Sequence, residues 1–239
     1  MRHHLRDFGG FPPRHFRRHD LTCALVALCL AAAATTGAAQ TIVPNPYLDT
    51  QLAPWTAFLS SAPDPVGSGG APNWLATPDF NSSPASGSAL IQINTPSQLT
   101  NAASGITQCF NFASPTSVTF FNYGMRFFVP ATTVRDGSLT ANVEVRLFSS
   151  AGCSGFISGG SQGQVIANAA VPAATWVALS DNSFIPAGAP LTAASAEVRA
   201  SLRQNGGALT QASYAINVDQ FVLVLNSTTP VQLMQFDVE

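Results

Sequence analysis

Beyond residue 40, apolar and polar residues alternate with period two over long stretches. In "LTANVEVRLFSS", Leu139, Ala141, Val143, Val145 and Leu147 fall on one side, and Asn142, Glu144 and Arg146 on the other. "ASAEVRASLRQ" repeats the scheme, with Ala196, Val198, Ala200 and Leu202 opposed by Glu197, Arg199 and Arg203. Successive side chains of a strand point to opposite faces, so this spacing predicts half-buried antiparallel strands. "VTFFNYGMRFFVP" places Phe121, Tyr123, Met125, Phe127 and Val129 together, against Asn122, Gly124 and Arg126. Shorter strands are predicted at "WTAFL", "SALIQI" and "WVAL". Pro- and Gly-rich stretches such as "APDPVGSGGAPN" and "TPDFNSSPASGS" read as loops between them. The pattern contains no convincing amphipathic helix and no solenoid-type repeat. Many short strands at this spacing predict an all-β fold: a single-domain, antiparallel, jelly-roll-like β-sandwich.

One strand candidate breaks its own pattern. "SYAINVDQFVLVL" sets Asp219 among Tyr, Ile, Val, Phe and Leu. Asp is depleted from strands, and a carboxylate beside a packed core needs a partner or water. Asp219 is therefore a residue whose neighbours matter.

The beginning of the chain has a different character. Residues 1–20 carry five Arg, all four His and only two acids; "LTCALVALCLAAAA" and the small residues of "TTGAAQ" follow. Basic, apolar, then small is the order of a signal peptide, with cleavage expected near Ala39 and a secreted or periplasmic destination. The apolar run is shorter than a comfortable membrane span, and no later segment supplies one. Residues 1–39 are thus expected to be a signal peptide, 40–226 the sandwich, and 227–239 a C-terminal segment able to add an edge strand. Without the leader the chain has five Arg against ten acids, with no Lys and no His. Charged residues are 9% of the whole chain, against roughly 25% in an ordinary soluble protein. So few cations argue against nucleic acid as a partner, since phosphates demand clustered Arg and Lys.

Two cysteines remain, Cys109 in "TQCFNF" and Cys153 in "AGCSGF". An even count in an exported chain suggests one disulfide; two separate thiols are the alternative. Two Cys without a His leave a zinc ligand set incomplete.

Three blocks carry a family resemblance. "NPYLDTQLAPW" resembles the opening of secreted carbohydrate-binding-module sandwiches of the galactose-binding-like jelly-roll type. "NWLATPDFNSSPASGSALIQI" is similar to their next block, and "YAINVDQFVLV" to their closing strand; the blocks run in that order from Asn45 to Val224. The second acid of the closing motif is Gln220 here. The resemblance implies a structural Ca²⁺ held by the opening and closing acids, Asp49 and Asp219. Carboxylates and loop carbonyls suit that hard cation. Pairing of Asp219 with an Arg, or simple hydration at a strand end, is the alternative.

Arg126, Glu144, Arg146, Glu197, Arg199 and Arg203 all fall on polar strand faces. If those strands share a sheet, they form a polar surface able to meet the hydroxyls of a saccharide or other surface polymer, with aromatic rings for its apolar faces. Opposite charges across strands also dress ordinary solvated sheets. Trp74, in a Gly- and Pro-rich loop, is a further ligand candidate, although packing beneath the loop competes; Trp55 and Trp176 read as core. The mature chain has no His for a triad or general base, no G-x-S-x-G and no phosphate-binding glycine loop. A carboxylate pair of the glycosidase kind is spatial, and no spacing here selects one. The expectation is a non-catalytic binding module for carbohydrate; the competing reading is a structural or adhesive extracellular domain without a small ligand.

Overall fold

The computed structural model describes residues 41–60, 71–94, 103–206, 209 and 211–227. The expected signal peptide and residues 228–239 of the expected C-terminal segment lie outside the described residues. Within them the secondary structure is ten strands and no helix: β1 (Thr56–Ser60), β2 (Asn73–Leu75), β3 (Ser88–Asn94), β4 (Ala103–Val118), β5 (Phe121–Phe128), β6 (Asp136–Ser150), β7 (Ser154–Ala167), β8 (Trp176–Phe184), β9 (Leu191–Gln204) and β10 (Ser213–Leu225). No helix among the described residues is long and apolar enough to cross a membrane.

The strands form two five-stranded antiparallel sheets, in the orders β1-β4-β9-β6-β7 and β2-β3-β10-β5-β8. Their inner faces carry the residues that the alternation selects. Leu139, Ala141, Val143, Val145 and Leu147 of β6, with Ala196, Val198, Ala200 and Leu202 of β9, are fully buried. They meet Phe121, Tyr123, Met125 and Phe127 of β5 and Ile216, Val218 and Leu223 of β10 in one core. Each such side chain withdrawn from water contributes roughly 1.5–3 kcal/mol, which is the main force holding the layers together.

The N-terminal segment continues the second sheet past the end of β3. Ile42 N donates to Leu223 O at 3.0 Å and Phe221 N donates to Pro46 O at 2.8 Å. Trp55 is buried against Phe221, with ring centroids 4.2 Å apart, and its indole N–H donates to Asn45 O at 3.1 Å. The first and last described segments thus share one end of the sandwich. Cys109 and Cys153 are bonded, with Cα atoms 6.0 Å apart, tying β4 across β9 to the β6–β7 turn.

The structure adds β7, which the alternation did not select. β7 holds Gly155, Gly159, Gly160 and Gly163. A Cβ on Gly159 would stand 2.4 Å from Val145 O, and one on Gly160 3.0 Å from the Tyr123 hydroxyl and 3.1 Å from the Phe184 ring. Glycine here permits close approach of neighbouring backbone and side chains, which its usual depletion from strands conceals.

Candidate ligand-binding face

The outward face of the β1-β4-β9-β6-β7 sheet gathers five of the seven residues singled out for ligand contact: Glu144, Arg146, Glu197, Arg199 and Arg203. Register sets Glu144 opposite Arg199 and Arg146 opposite Glu197 on the neighbouring strands β6 and β9. The side chains close the ladder: Arg199 pairs with Glu197 at 2.9 Å and with Glu144 at 3.4 Å, and Arg146 pairs with Glu197 at 3.3 Å. Thr107 of β4 donates its hydroxyl to the other Glu197 oxygen at 2.9 Å. Side-chain exposures of 13–33% make these pairs partly desolvated, so they hold their geometry better than fully exposed pairs. Arg203 lies further along β9 and is exposed.

Aromatic rings brace both arginines. Arg199 stands over the Phe58 ring of β1 at 4.7 Å; Arg146 stands over Phe156 of β7 at 4.9 Å and Phe148 of β6 at 5.4 Å. A guanidinium between a ring and two carboxylates loses most of its rotamer freedom before any ligand arrives. Phe156 keeps 55% of its surface exposed, enough for a second planar partner, while Phe148 is buried. Beside the ladder on β7 lie Gly159, Ser161 and Gly163, opposite Arg146, Glu144 and Asn142. At those three positions nothing taller than a hydroxyl flanks the charges, and Phe156 stands at the end of the row. Arg199 Nε is buried without a hydrogen-bond partner among the described residues.

Arg126 and Trp74 are not part of this face. Arg126 is on β5, in the other sheet, because the strands carrying the polar residues do not all share one sheet. It is 9% exposed, stands 3.9 Å over the Phe80 ring and donates Nε–H to Gln220 Oε1 at 2.7 Å. Burial pulls its pKa below the usual arginine value, with Asp219 opposing. Trp74 packs against the core and donates its indole N–H to Leu48 O at 2.6 Å, which pins the 45–52 loop. Trp176, expected in the core, instead lies half-buried on the outer side of the second sheet. Its ring meets Phe128 at 5.4 Å and Phe80 at 6.0 Å.

Asp219 is fully buried, yet it faces outward from β10. The loop between β2 and β3 covers it: Phe80 N donates to its Oδ2 at 3.1 Å, and Gln220 N to its Oδ1 at 2.6 Å. The carboxyl that shares a hydrogen bond with it is Asp79. Asp79 also accepts from Asn81 N at 3.1 Å and from Ser83 N and Ser86 Oγ at 2.8 Å each. Desolvation pushes the Asp219 pKa up to about 8, the Gln220 and Phe80 N–H groups pull it down, and Asp79 raises it further.

Asp49 is exposed in the 45–52 loop, where Asn45 Oδ1 accepts its backbone N–H at 2.7 Å. The residues present fit the implied calcium poorly. Both Asp219 oxygens already accept N–H groups, and no cluster of three or more Asp, Glu, His or Cys able to hold a metal occurs among the described residues. Asp79 is the functional-looking acid that reading the sequence passed over; its place in "TPDFNSSP" resembles an ordinary loop acid, and only the fold brings it to Asp219.

No protein-family model matches the chain, and no curated protein does. Similar solved structures include the enzymatically active domain of tailspike protein 4 from bacteriophage CBA120, at 16% identity and TM-score 0.47, covering 77% of this chain and 21% of that one. A xylan-binding module is 14% identical with TM-score 0.41, covering 75% and 95%. The cleaved adhesin domain of Lys-gingipain from Porphyromonas gingivalis is 11% identical with TM-score 0.38, covering 72% and 91%. The chain spans about a fifth of the length of the tailspike structure.

Proposed function

We propose that this is an exported, non-catalytic binding domain whose outer β1-β4-β9-β6-β7 face takes a saccharide chain. The observation that carries the reading is the Glu144–Arg199–Glu197–Arg146 ladder, held rigid on Phe58, Phe148 and Phe156 beside a floor of glycine and serine. Sugars present hydroxyls at their edges and C–H groups on their faces. Carboxylates and guanidinium groups meet the first, and exposed rings such as Phe156 meet the second. Five strands at about 4.8 Å spacing make a surface roughly 20 Å wide, which suits an oligomer better than a single sugar. The disulfide and the leader-like N-terminus support export. Glu144 and Glu197 serve as polar anchors in this reading, each committed to an arginine instead of to proton transfer.

Retention on immobilised polysaccharides tests it. The wild-type chain is expected to be held saturably by at least one polymer, and Arg199→Ala or Phe156→Ala to weaken that retention by about tenfold or more, equivalent to about 1.4 kcal/mol. A second reading, a spacer or adhesive domain without a small ligand, is favoured by the way the ladder's charges already satisfy one another. Absence of retention across a broad polysaccharide panel selects that reading and ends the first.

A further inference from the structure

An apolar hollow of about 550 Å³ opens at one side of the sandwich. It is lined by Ile42, Phe110, Phe112, Val224 and Leu225, with Ser227 at its margin. Two features show what kind of occupant it fits. β1 pairs with β4 only from Ala103 to Thr107, so β4 from Gln108 onward has no strand partner on that side among the described residues. An uncovered edge beside apolar side chains is a template for one more strand. The chain leaving β10 is also fixed at this place: Asn226 Oδ1 accepts from Thr119 N at 2.8 Å and its Nδ2 donates to Ser117 O at 2.6 Å, while Asn122 Nδ2 donates to Ser227 O at 2.9 Å. Ser227 is therefore delivered to the far end of the uncovered edge.

We propose that residues 228–239 of this same chain fill the hollow, running antiparallel along β4 and extending the line of β1. Their sequence, "TTPVQLMQFDVE", sets Val231 and Leu233 on one face of a strand and Met234, Phe236 and Val238 on the other. Pro230 lies ahead of the alternating run, where a missing N–H costs no ladder bond. Direction also agrees: a strand that starts near Ser117 and proceeds toward Gln108 is antiparallel to β4, as β1 is. Twelve extended residues reach roughly 40 Å, more than β4 between Thr116 and Gln108 requires. Met234 and Phe236, which share one face of that strand, would cover Phe110, Phe112 and Leu225, and Ile42, which is 40% exposed, would gain a neighbour.

Amide hydrogen exchange followed by NMR decides the matter. In the full chain, the amides of residues 108–116 that point away from β9 are expected to exchange slowly. In a chain stopping at Ser227 they should exchange at least about tenfold faster, with β6 and β9 unchanged. Met234→Glu combined with Phe236→Glu in the full chain should give the same acceleration, and carries the test if the shortened chain does not fold. Equal exchange in the full chain and the double variant overturns the proposal. So does protection that disappears on dilution while sedimentation shows a dimer, because the occupant is then a second copy.

Discussion

The carboxyl of Asp219 keeps its place by retaining a proton. Buried beneath the 76–87 loop beside Asp79, it titrates near 8 instead of 3.8, and the protonated form can donate to its acidic neighbour. The sign of the consequence follows from proton counting. Between pH 4 and 8 the unfolded chain has released a proton that the folded chain still holds. Asp219's contribution is therefore complete below pH 4 and is lost as pH rises to 8. Urea midpoints measured from pH 4 to 9 are expected to fall over this window in the wild type. Asp219→Asn, which has no carboxyl proton to lose, should flatten that fall. Dialysis against a chelator should leave the wild-type midpoint unchanged; a cation between the two acids would reverse both results, since it would favour the ionised pair. The alternation of β10 shows how much of this was legible. Ile216 and Val218 face the core, then Phe221 and Leu223; the slip from even to odd positions marks a bulge at Asp219–Gln220, where Gln220 takes a φ of +50° and the register shifts. The slip is visible in the sequence. Asp79 as the partner is not, because that depends on how a loop 140 residues upstream lies across the sheet.

At the level of elements, the cross-link and the glycines decide how firmly the first sheet is held. The Cys109–Cys153 bond closes a separation of 44 residues and spans β9, the strand bearing Glu197 and Arg199. Replacing both cysteines by serine should cost roughly 4 kcal/mol on the loop-entropy model, read as a lower urea midpoint with a steeper slope, since the unlinked unfolded chain exposes more surface. A loss near zero would mean that the bond constrains little in the unfolded chain. β6 and β9 were legible in the sequence because each has one wetter and one dry face, which gives clean alternation; β5 was legible from its polar residues although both its faces are buried. β7 was not, since glycine that makes room for Val145 O and the Phe184 ring is indistinguishable in a single sequence from glycine that makes a turn. The same limit applies to Arg126. Periodicity correctly places its side chain opposite the core, but which sheet its strand joins is a matter of topology.

For the whole molecule, charge bears on which saccharide fits. Past residue 40 the chain carries five Arg against ten acids, and on the proposed face two arginines are already matched by two glutamates. Beyond the matched ladder that surface offers only Arg203 to attract a polyanion, and the molecule as a whole repels one. A neutral polysaccharide is the better match, held by hydrogen bonds and ring contacts that salt screens little. Long-range attraction between exposed charges, by contrast, is largely removed at 1 M salt, where the screening length falls to about 3 Å. Retention on a neutral polymer is therefore expected to persist from 0.05 to 1 M salt, within about twofold, because nothing in the contact depends on unscreened charge. A carboxylated or sulfated polymer should be bound weakly at every salt concentration. Strong retention on such a polymer that collapses with added salt would mean that the ladder opens to release its arginines, and the rigid, self-matched face described here would not be the binding surface.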